Sequence, residues 1–381
     1  VIEFKLTPEQ ELIRQSAAEF ARTVIAPVAA ELDEKQEFSW EVTRAIAKQG
    51  YMGIIIPKEY GGAGADALTY ALLIEEISKA CAAQGVTMSL TNSLVAYPIM
   101  TYASEELKRR YLPALASGEK LGCFGLTEPN AGSDSGNQET TATPDGDSYI
   151  INGSKIFISN GGVADFALII ASTNRSAKIR GLSAFIVDKG TPGFTVGVKE
   201  NKLGIRASNT AELVFQNCRI PKENMVNTPG RGFRIAMDTL DGGRIGVGAQ
   251  GTGVARAAYE AALRYSRERK QFNTHLVDFQ GINHKLAEMK IDIETARLLT
   301  WHAAWLKDHK KRYSKEAAMA KLFGSEMATR VTHQALQILG GYGFIKDYPV
   351  ERYYRDARIL ELYEGTSEVQ RMVIASHALG V

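Results

Sequence analysis

Between residues 121 and 225 the chain carries short apolar segments at 122–126, 149–151, 155–158, 166–171, 182–187 and 212–215, divided by Gly, Asn, Asp or Pro. No helical crossover is read in the intervals between them. Parallel neighbours need a connection of a dozen or more residues, usually helical, so this block predicts an antiparallel sheet or small barrel. Within it, Asn152-Gly153 fits a tight hairpin turn, because both residues tolerate positive φ.

Helical periodicity flanks the block on both sides. Thr7-Pro8-Glu9-Gln10 combines a cap residue, proline at the first helical position and glutamine three places after the cap, so a helix begins there and runs to Val24 or beyond. Further helical stretches lie at 39–49, 66–82, 84–100 and 104–116, with a glycine-rich loop at 60–66. After Arg231 the pattern returns, and Ile282, Leu286, Met289, Ile293 and Ala296 mark one apolar face of a long helix. The expected organisation is α+β: a helical domain over 1–120, a β-domain over 121–230 and a helical bundle over 231–381.

Charge excludes little but directs the search. With 45 basic and 43 acidic residues, no broad nucleic-acid or membrane footprint is expected. Three dispersed cysteines and six scattered histidines form no metal set, and the chain opens without the pattern of a signal peptide or an apolar run long enough to span a bilayer.

Five stretches concentrate chemistry-bearing residues. D-A-R-I-L-E-L-Y-E-G-T-S-E-V-Q-R at 356–371 sets Glu364 at a glycine break between two helical segments. That suits a positioned base, and equally a solvated acid beside a helix cap. T-E-P-N-A-G-S-D at 127–134 offers small residues and the Ser133 hydroxyl after a strand, either for a ligand or as a capped turn. R-E-R-K-Q-F at 267–272 reads as a basic helix end in which Arg269 can pair with phosphate. Q-I-L-G-G-Y-G-F at 337–344 has more glycines than a helix end needs. G-V-G-A-Q-G at 246–251 matches a dinucleotide pattern formally, but no strand precedes it. Its surroundings read as a helix start, and its small residues allow close helix approach or let backbone lie near a ligand.

Taken with N-G-S-K-I-F-I-S-N at 152–160, the motifs other than G-V-G-A-Q-G occur in the order and at the separations found in the acyl-CoA dehydrogenases, which the chain resembles over nearly its whole length. The resemblance implies an N-terminal helical domain, a middle antiparallel β-domain and a C-terminal four-helix bundle. It also implies FAD as cofactor, an acyl-CoA substrate, electron-transferring flavoprotein as electron acceptor, and a homotetramer built as a dimer of dimers. The reaction implied is α,β-dehydrogenation to a trans-2-enoyl-CoA, with Glu364 removing the α-proton and flavin N5 accepting the β-hydride. An activated C–H beside a thioester is a weak acid, and an apolar acyl chain that expels water strengthens the glutamate as its base.

The same resemblance assigns contacts. Leu126, Thr127, Phe157 and Ser159 are expected around the isoalloxazine, and Ser133 at the pyrophosphate. Arg269, Gln271 and Phe272 are expected to reach FAD from a neighbouring subunit, Gln337, Gly340 and Gly341 also to approach it, and Thr366 and Glu368 to touch its adenosine end. Tyr363 and Gly365 border the acyl path, Asp241 and Arg244 the pantetheine and adenosine part of CoA, and Phe124 and Ser133 the same crevice. Gly243 excludes relatives that carry the base on that helix. Asn273 departs from the glycine common in the family but tolerates positive φ.

Absence of arginine between residues 85 and 100 favours an uncharged acyl group over glutaryl-CoA. A butyryl-like chain is slightly preferred, with the pocket floor near 89–94. The alternatives are a branched-chain dehydrogenase, an acyl-CoA oxidase and a non-catalytic flavin- or CoA-binding protein. The expected location is the bacterial cytoplasm, or the mitochondrial matrix if a targeting segment has been removed.

Overall fold

The structure is a computed structural model describing residues 5–380. Residues 1–4, on which the reading of the N-terminus partly rests, and residue 381, the end of the third expected domain, lie outside the described residues.

The first helix, α1 (Pro8–Phe20), starts as its sequence predicts. The Thr7 hydroxyl accepts from the Gln10 amide at 3.1 Å, and the Gln10 side chain accepts from the Thr7 amide at 3.0 Å. A π turn and a 3-10 turn then lead to α2 (Ala29–Lys35), followed by α3 (Trp40–Lys48) and α4 (Ala67–Ala80). The helix expected over 84–100 is divided into α5 (Ala82–Leu90), a π turn (Thr91–Ala96) and α6 (Tyr97–Tyr102), before α7 (Glu105–Ser117). Hydroxyl and amide groups account for the wider turn. Thr91 and Ser93 bond back to carbonyls four residues earlier at 2.8 Å each, Asn92 does so at 3.0 Å, and Pro98 has no amide hydrogen to continue the ladder.

Among the described residues, eight strands form one sheet. They are β1 (Gly122–Gly125), β2 (Thr141–Asp145), β3 (Ser148–Ser159), β4 (Phe166–Ser172), β5 (Leu182–Asp188), β6 (Phe194–Lys199), β7 (Thr210–Pro221) and β8 (Met225–Val226). Their order is β6-β7-β3-β2-β4-β5-β8, with β1 beside β4. Pairing is antiparallel except at β1–β4 and at one Thr141–Ser172 pair. The parallel β1–β4 pair is bridged by the β2–β3 hairpin, which supplies the length a helix would otherwise provide.

Asn152-Gly153 is not a turn. It lies inside β3 as a bulge facing β7, with Gly153 at φ +140° and the Asn152 side chain accepting from the Asn217 amide at 2.7 Å. The two-residue hairpin loop is Gly146-Asp147 instead, with Gly146 at φ +61°.

The remaining chain is mostly helical: α8 (Gly232–Glu268), a hairpin of β9 (Lys270–Gln271) and β10 (Thr274–His275), α9 (Gln280–Asp308), α10 (Ser314–Leu339), α11 (Gly341–Phe344), α12 (Val350–Arg358) and α13 (Ser367–Leu379). α8, α9, α10 and α13 make the bundle, and α4 packs on α8 and α9. Glu75 of α4 joins Arg256 at 2.7 Å and Arg297 at 2.8 Å, tying the first helical block to the last.

G-V-G-A-Q-G lies in the middle of α8, not at a helix start. A Cβ at Gly251 would come within 2.5 Å of the Gly324 carbonyl of α10, and one at Gly248 within 2.7 Å of the Thr300 hydroxyl of α9. These glycines let three helices cross closely, which explains the motif without a nucleotide.

Gly251→Ala is therefore expected to destabilise the fold by about 1–3 kcal/mol, seen as a lower Tm. Gly281→Ala, where a Cβ meets nothing within 4 Å, is expected to cost no stability. Equal Tm values for the two variants would contradict this packing account.

Candidate active site

After α12, a 3-10 turn (Ile359–Glu361) delivers the chain to a sharp break before α13. Glu364 has φ +53° and Gly365 φ +93°, a left-handed pair in which the non-glycine residue costs about 1 kcal/mol or more. Three hydrogen bonds from two side chains hold the turn. The Gln370 side-chain amide donates to the carbonyls of Glu364 and Gly365, both at 3.0 Å, and Lys321 Nζ donates to the Gly365 carbonyl at 2.6 Å. Thr366 caps α13 through the Val369 amide at 3.4 Å.

This turn presses the Glu364 carboxylate against the α-carbon of Gly243 in α8, where any Cβ would overlap Oε2. Glu364 Oε2 is buried with no hydrogen-bond partner among the described residues. Burial pushes the carboxyl up to about 7, while the charges of Arg244 and Lys321 act in the opposite direction. A glutamate so placed titrates near neutrality, the condition for a general base in water at that pH.

The carboxylate opens on a cavity of about 320 Å³. α5 and its π turn contribute Val86, Leu90 and Leu94, the start of α8 contributes Phe233, Met237 and Leu240, and α13 contributes Val369 and Val373. Polar pairs border this apolar wall. Tyr363 donates its hydroxyl to Gln250, whose amide donates to the Ala82 carbonyl at 3.0 Å, and Tyr70 and Ser89 share a hydrogen bond at 2.7 Å.

The sheet forms the opposite wall. Fully buried Lys155 donates to the Leu126 carbonyl at 3.2 Å, to Glu128 at 2.6 Å and to Gln138, while Glu128 accepts from the Glu139 and Thr140 amides. This network fixes the path of the T-E-P-N loop. Phe157, at φ +59°, leaves its ring 62% exposed, and the hydroxyls of Thr127, Ser133 and Ser159, which line the same cavity, make no side-chain hydrogen bond among the described residues. A flat apolar ring surrounded by free hydroxyls fits a planar cofactor such as the isoalloxazine of FAD.

Of the expected site residues, Phe124, Leu126, Thr127, Ser133, Phe157, Ser159, Arg244, Tyr363, Glu364 and Gly365 line this one cavity. Asp241 stands behind it, 2.6 Å from Arg244 and 2.5 Å from the Ser314 hydroxyl. Thr366 is at the adjoining cap, and Glu368 is exposed on the first turn of α13. Arg269, Gln271 and Gly341 line a different cavity, of about 490 Å³, and Gln337 and Gly340 lie at the end of α10 next to it. Phe272 and Asn273 form the loop of the β9–β10 hairpin at φ +52° and +60°, with the Phe272 ring 91% exposed.

Sequence reading missed Lys321, Gln370, Gln250 and Tyr70. A signal existed for Lys321: it follows Ala317 and Ala318 and precedes Gly324 on one helical face of small residues, an odd place for an amine. Gln370 lies inside the 356–371 stretch but is given no role there.

Infrared difference spectra of wild type against Glu364→Gln, recorded across neutral pH, are expected to show a carboxyl band that titrates at about 7 and is lost in the variant. A midpoint in the ordinary glutamate range would show that the cavity is wet.

Three family models match the chain: acyl-CoA dehydrogenase N-terminal domain over 7–119, middle domain over 123–218 and C-terminal domain over 230–379. The short-chain specific acyl-CoA dehydrogenase of Clostridium acetobutylicum is 53% identical, over 98% of this chain and 99% of that protein. The mitochondrial short-chain specific enzyme of Mus musculus is 49% identical, over 98% and 91%. The structure of butyryl-CoA dehydrogenase from Megasphaera elsdenii superimposes with a TM-score of 0.98 at 47% identity, covering 99% of this chain and all of that one (100%).

Proposed function

The chain belongs to the acyl-CoA dehydrogenase family, and from that premise we propose how its cavity works on a short acyl-CoA. The enzyme carries out FAD-dependent dehydrogenation of a short- or medium-chain acyl-CoA to the enoyl-CoA. Glu364 is the base that takes the α-proton. The observation that carries this assignment is the buried, unpartnered carboxylate held against Gly243 at the wall of a largely apolar cavity.

Each part of the wall has a task in this reading. Leu90, Leu94 and Val369 receive the acyl chain and exclude water, which keeps the carboxylate basic. Tyr363, Gln250 and Ser89 bound the pocket with polar groups whose hydrogen bonds are already made, Ser89 to Tyr70, so a longer chain finds little apolar surface there, and a butyryl-length chain is favoured. Arg244 is drawn back by Asp241, leaving its charge near the base without an ion pair to it. FAD, when bound, supplies the two-electron acceptor for the hydride lost from Cβ.

Leu126, Thr127, Ser133, Phe157 and Ser159 would hold the ring portion of FAD. Arg269, Gln271 and Gly341 line the second cavity and, with Phe272, Gln337 and Gly340 next to them in the chain, would meet the FAD of an adjoining subunit, with Thr366 and Glu368 nearer the adenosine end. The exposed Phe272 ring supports a subunit contact there, and a dimer of dimers is the assembly we propose. Electron-transferring flavoprotein is the proposed electron acceptor. No helix among the described residues is long and apolar enough to cross a membrane. The relatives include bacterial and mitochondrial proteins, and we place this chain in the bacterial cytoplasm or the mitochondrial matrix.

Anaerobic butyryl-CoA is expected to bleach the oxidised flavin spectrum of the holoenzyme. Glu364→Gln should keep its FAD and lose at least about 100-fold in bleaching rate. Persistent oxidised flavin in the wild type across short and medium chains would reject the dehydrogenase reading. Reoxidation by oxygen as fast as by electron-transferring flavoprotein would indicate an oxidase.

A further inference from the structure

The turn that bears Glu364 is unusual in what holds it. Its two carbonyls point at side chains from two different helices, and both side chains are buried: Lys321 of α10 and Gln370 of α13 are each 0% exposed. A buried lysine is costly unless it is bonded, yet among the described residues Lys321 makes no ion pair; its hydrogen bond goes to the neutral carbonyl of Gly365. Gln370 gives its amide to the two carbonyls and leaves its Oε1 buried without a partner among the described residues. Two desolvated polar groups are thus committed to one left-handed turn.

We propose that Lys321 and Gln370 are positioning residues for α-proton removal: together they lock the Glu364–Gly365 turn so that the carboxylate stays against Gly243, and Lys321 adds a buried ammonium charge near the base. The assignment rests on Glu364 being the base, as proposed above. Gly365 leaves room for this arrangement, since a Cβ there would come within 2.6 Å of Gln370 Nε2.

The electrostatics agree with the geometry. Glu364 faces Arg244 from α8 and Lys321 from α10, and both favour its ionised form. Tyr70 of α4 and the adjacent Tyr363 are uncharged, because burial holds their hydroxyls well above the usual tyrosine range. Lys321 is pushed down to about 8 by burial and further by Arg244, while Glu364, Glu361 and Glu326 raise it, and Glu368 on α13 also feels its charge. The amine therefore remains mostly protonated at neutral pH, where the base must be ionised.

Acetoacetyl-CoA separates proton transfer from oxidation. Its α-proton is acidic and its Cβ is a carbonyl with no hydride to give, so the C–H pair becomes the enolate and the proton passes to Glu364. The holoenzymes of wild type, Lys321→Met, Lys321→Gln and Gln370→Leu are titrated with it over pH, reading enolate absorbance, with Tm and FAD content alongside. Lys321→Met preserves volume, and Lys321→Gln retains a donor without charge.

Both Lys321 variants are expected to raise the enolate midpoint by about one pH unit or more, and to lower kcat for butyryl-CoA at least about tenfold with KM within about twofold. Gln370→Leu is expected to lower kcat and leave the midpoint unmoved. An unmoved midpoint in both Lys321 variants overturns the proposal, whatever happens to Tm or FAD content, and wild-type kcat in Gln370→Leu overturns the role of Gln370. Failure of the wild type itself to be reduced by butyryl-CoA would instead remove the functional reading beneath it.

Discussion

Much of this molecule answers to one constraint, the burial of the Glu364 carboxylate against a helix that has no side chain at that point. Raising a glutamate from 4.5 to about 7 corresponds to about 3 kcal/mol against the charged form. The fold sustains that cost through packing elsewhere. α8 is pinned between α4, α9 and α10 by glycines that allow close crossing, so Gly243 cannot drift away from the carboxylate. The strained turn that delivers Glu364 is held by donors from α10 and α13.

The same constraint explains why three structural blocks are needed. The first helices supply an apolar wall at Leu90 and Leu94, the sheet supplies a rigid edge carrying Phe124, Leu126 and Phe157, and the bundle supplies the base. Ion pairs from Glu75 to Arg256 and Arg297, and the Asp356 carboxylate accepting from the Ile205 amide at 2.5 Å, tie these blocks across their boundaries. A wall that moved would admit water, and water would return the carboxyl towards its ordinary range. Dryness and basicity are one property here. Positive charge is kept close but indirect: Arg244 is drawn to Asp241 and Lys321 to a carbonyl, so neither forms the tight ion pair that would fix the carboxylate as a weak base.

The sequence was most legible where local chemistry decides structure. The Thr7 to Gln10 box, the helix starts expected at 66 and 104 and the apolar face of α9 all follow from neighbours within one helical turn. It misled where a distant strand or helix decides. Asn152-Gly153 carries hairpin chemistry, yet Asn217 on the facing strand captures the Asn152 side chain and makes a bulge. The small residues at 246–251 were expected at a helix start, and they lie mid-helix in α8, where α10 and α9 cross them closely. Within the site, Glu364 was legible through its motif. Lys321 and Gln370, 43 residues before it and 6 after, gain meaning only when α10 and α13 meet at the turn.

The most direct test of the account is the rate of flavin reduction by butyryl-CoA deuterated at Cα, followed anaerobically as a function of pH. Below about 7 the carboxyl holds a proton and cannot accept another; above it the base is free. The account predicts a rate per substrate bound that rises through about 7 to a plateau, with a primary deuterium effect across that range. A rate independent of pH between the ordinary glutamate range and 8, or the absence of an isotope effect at Cα, would contradict it.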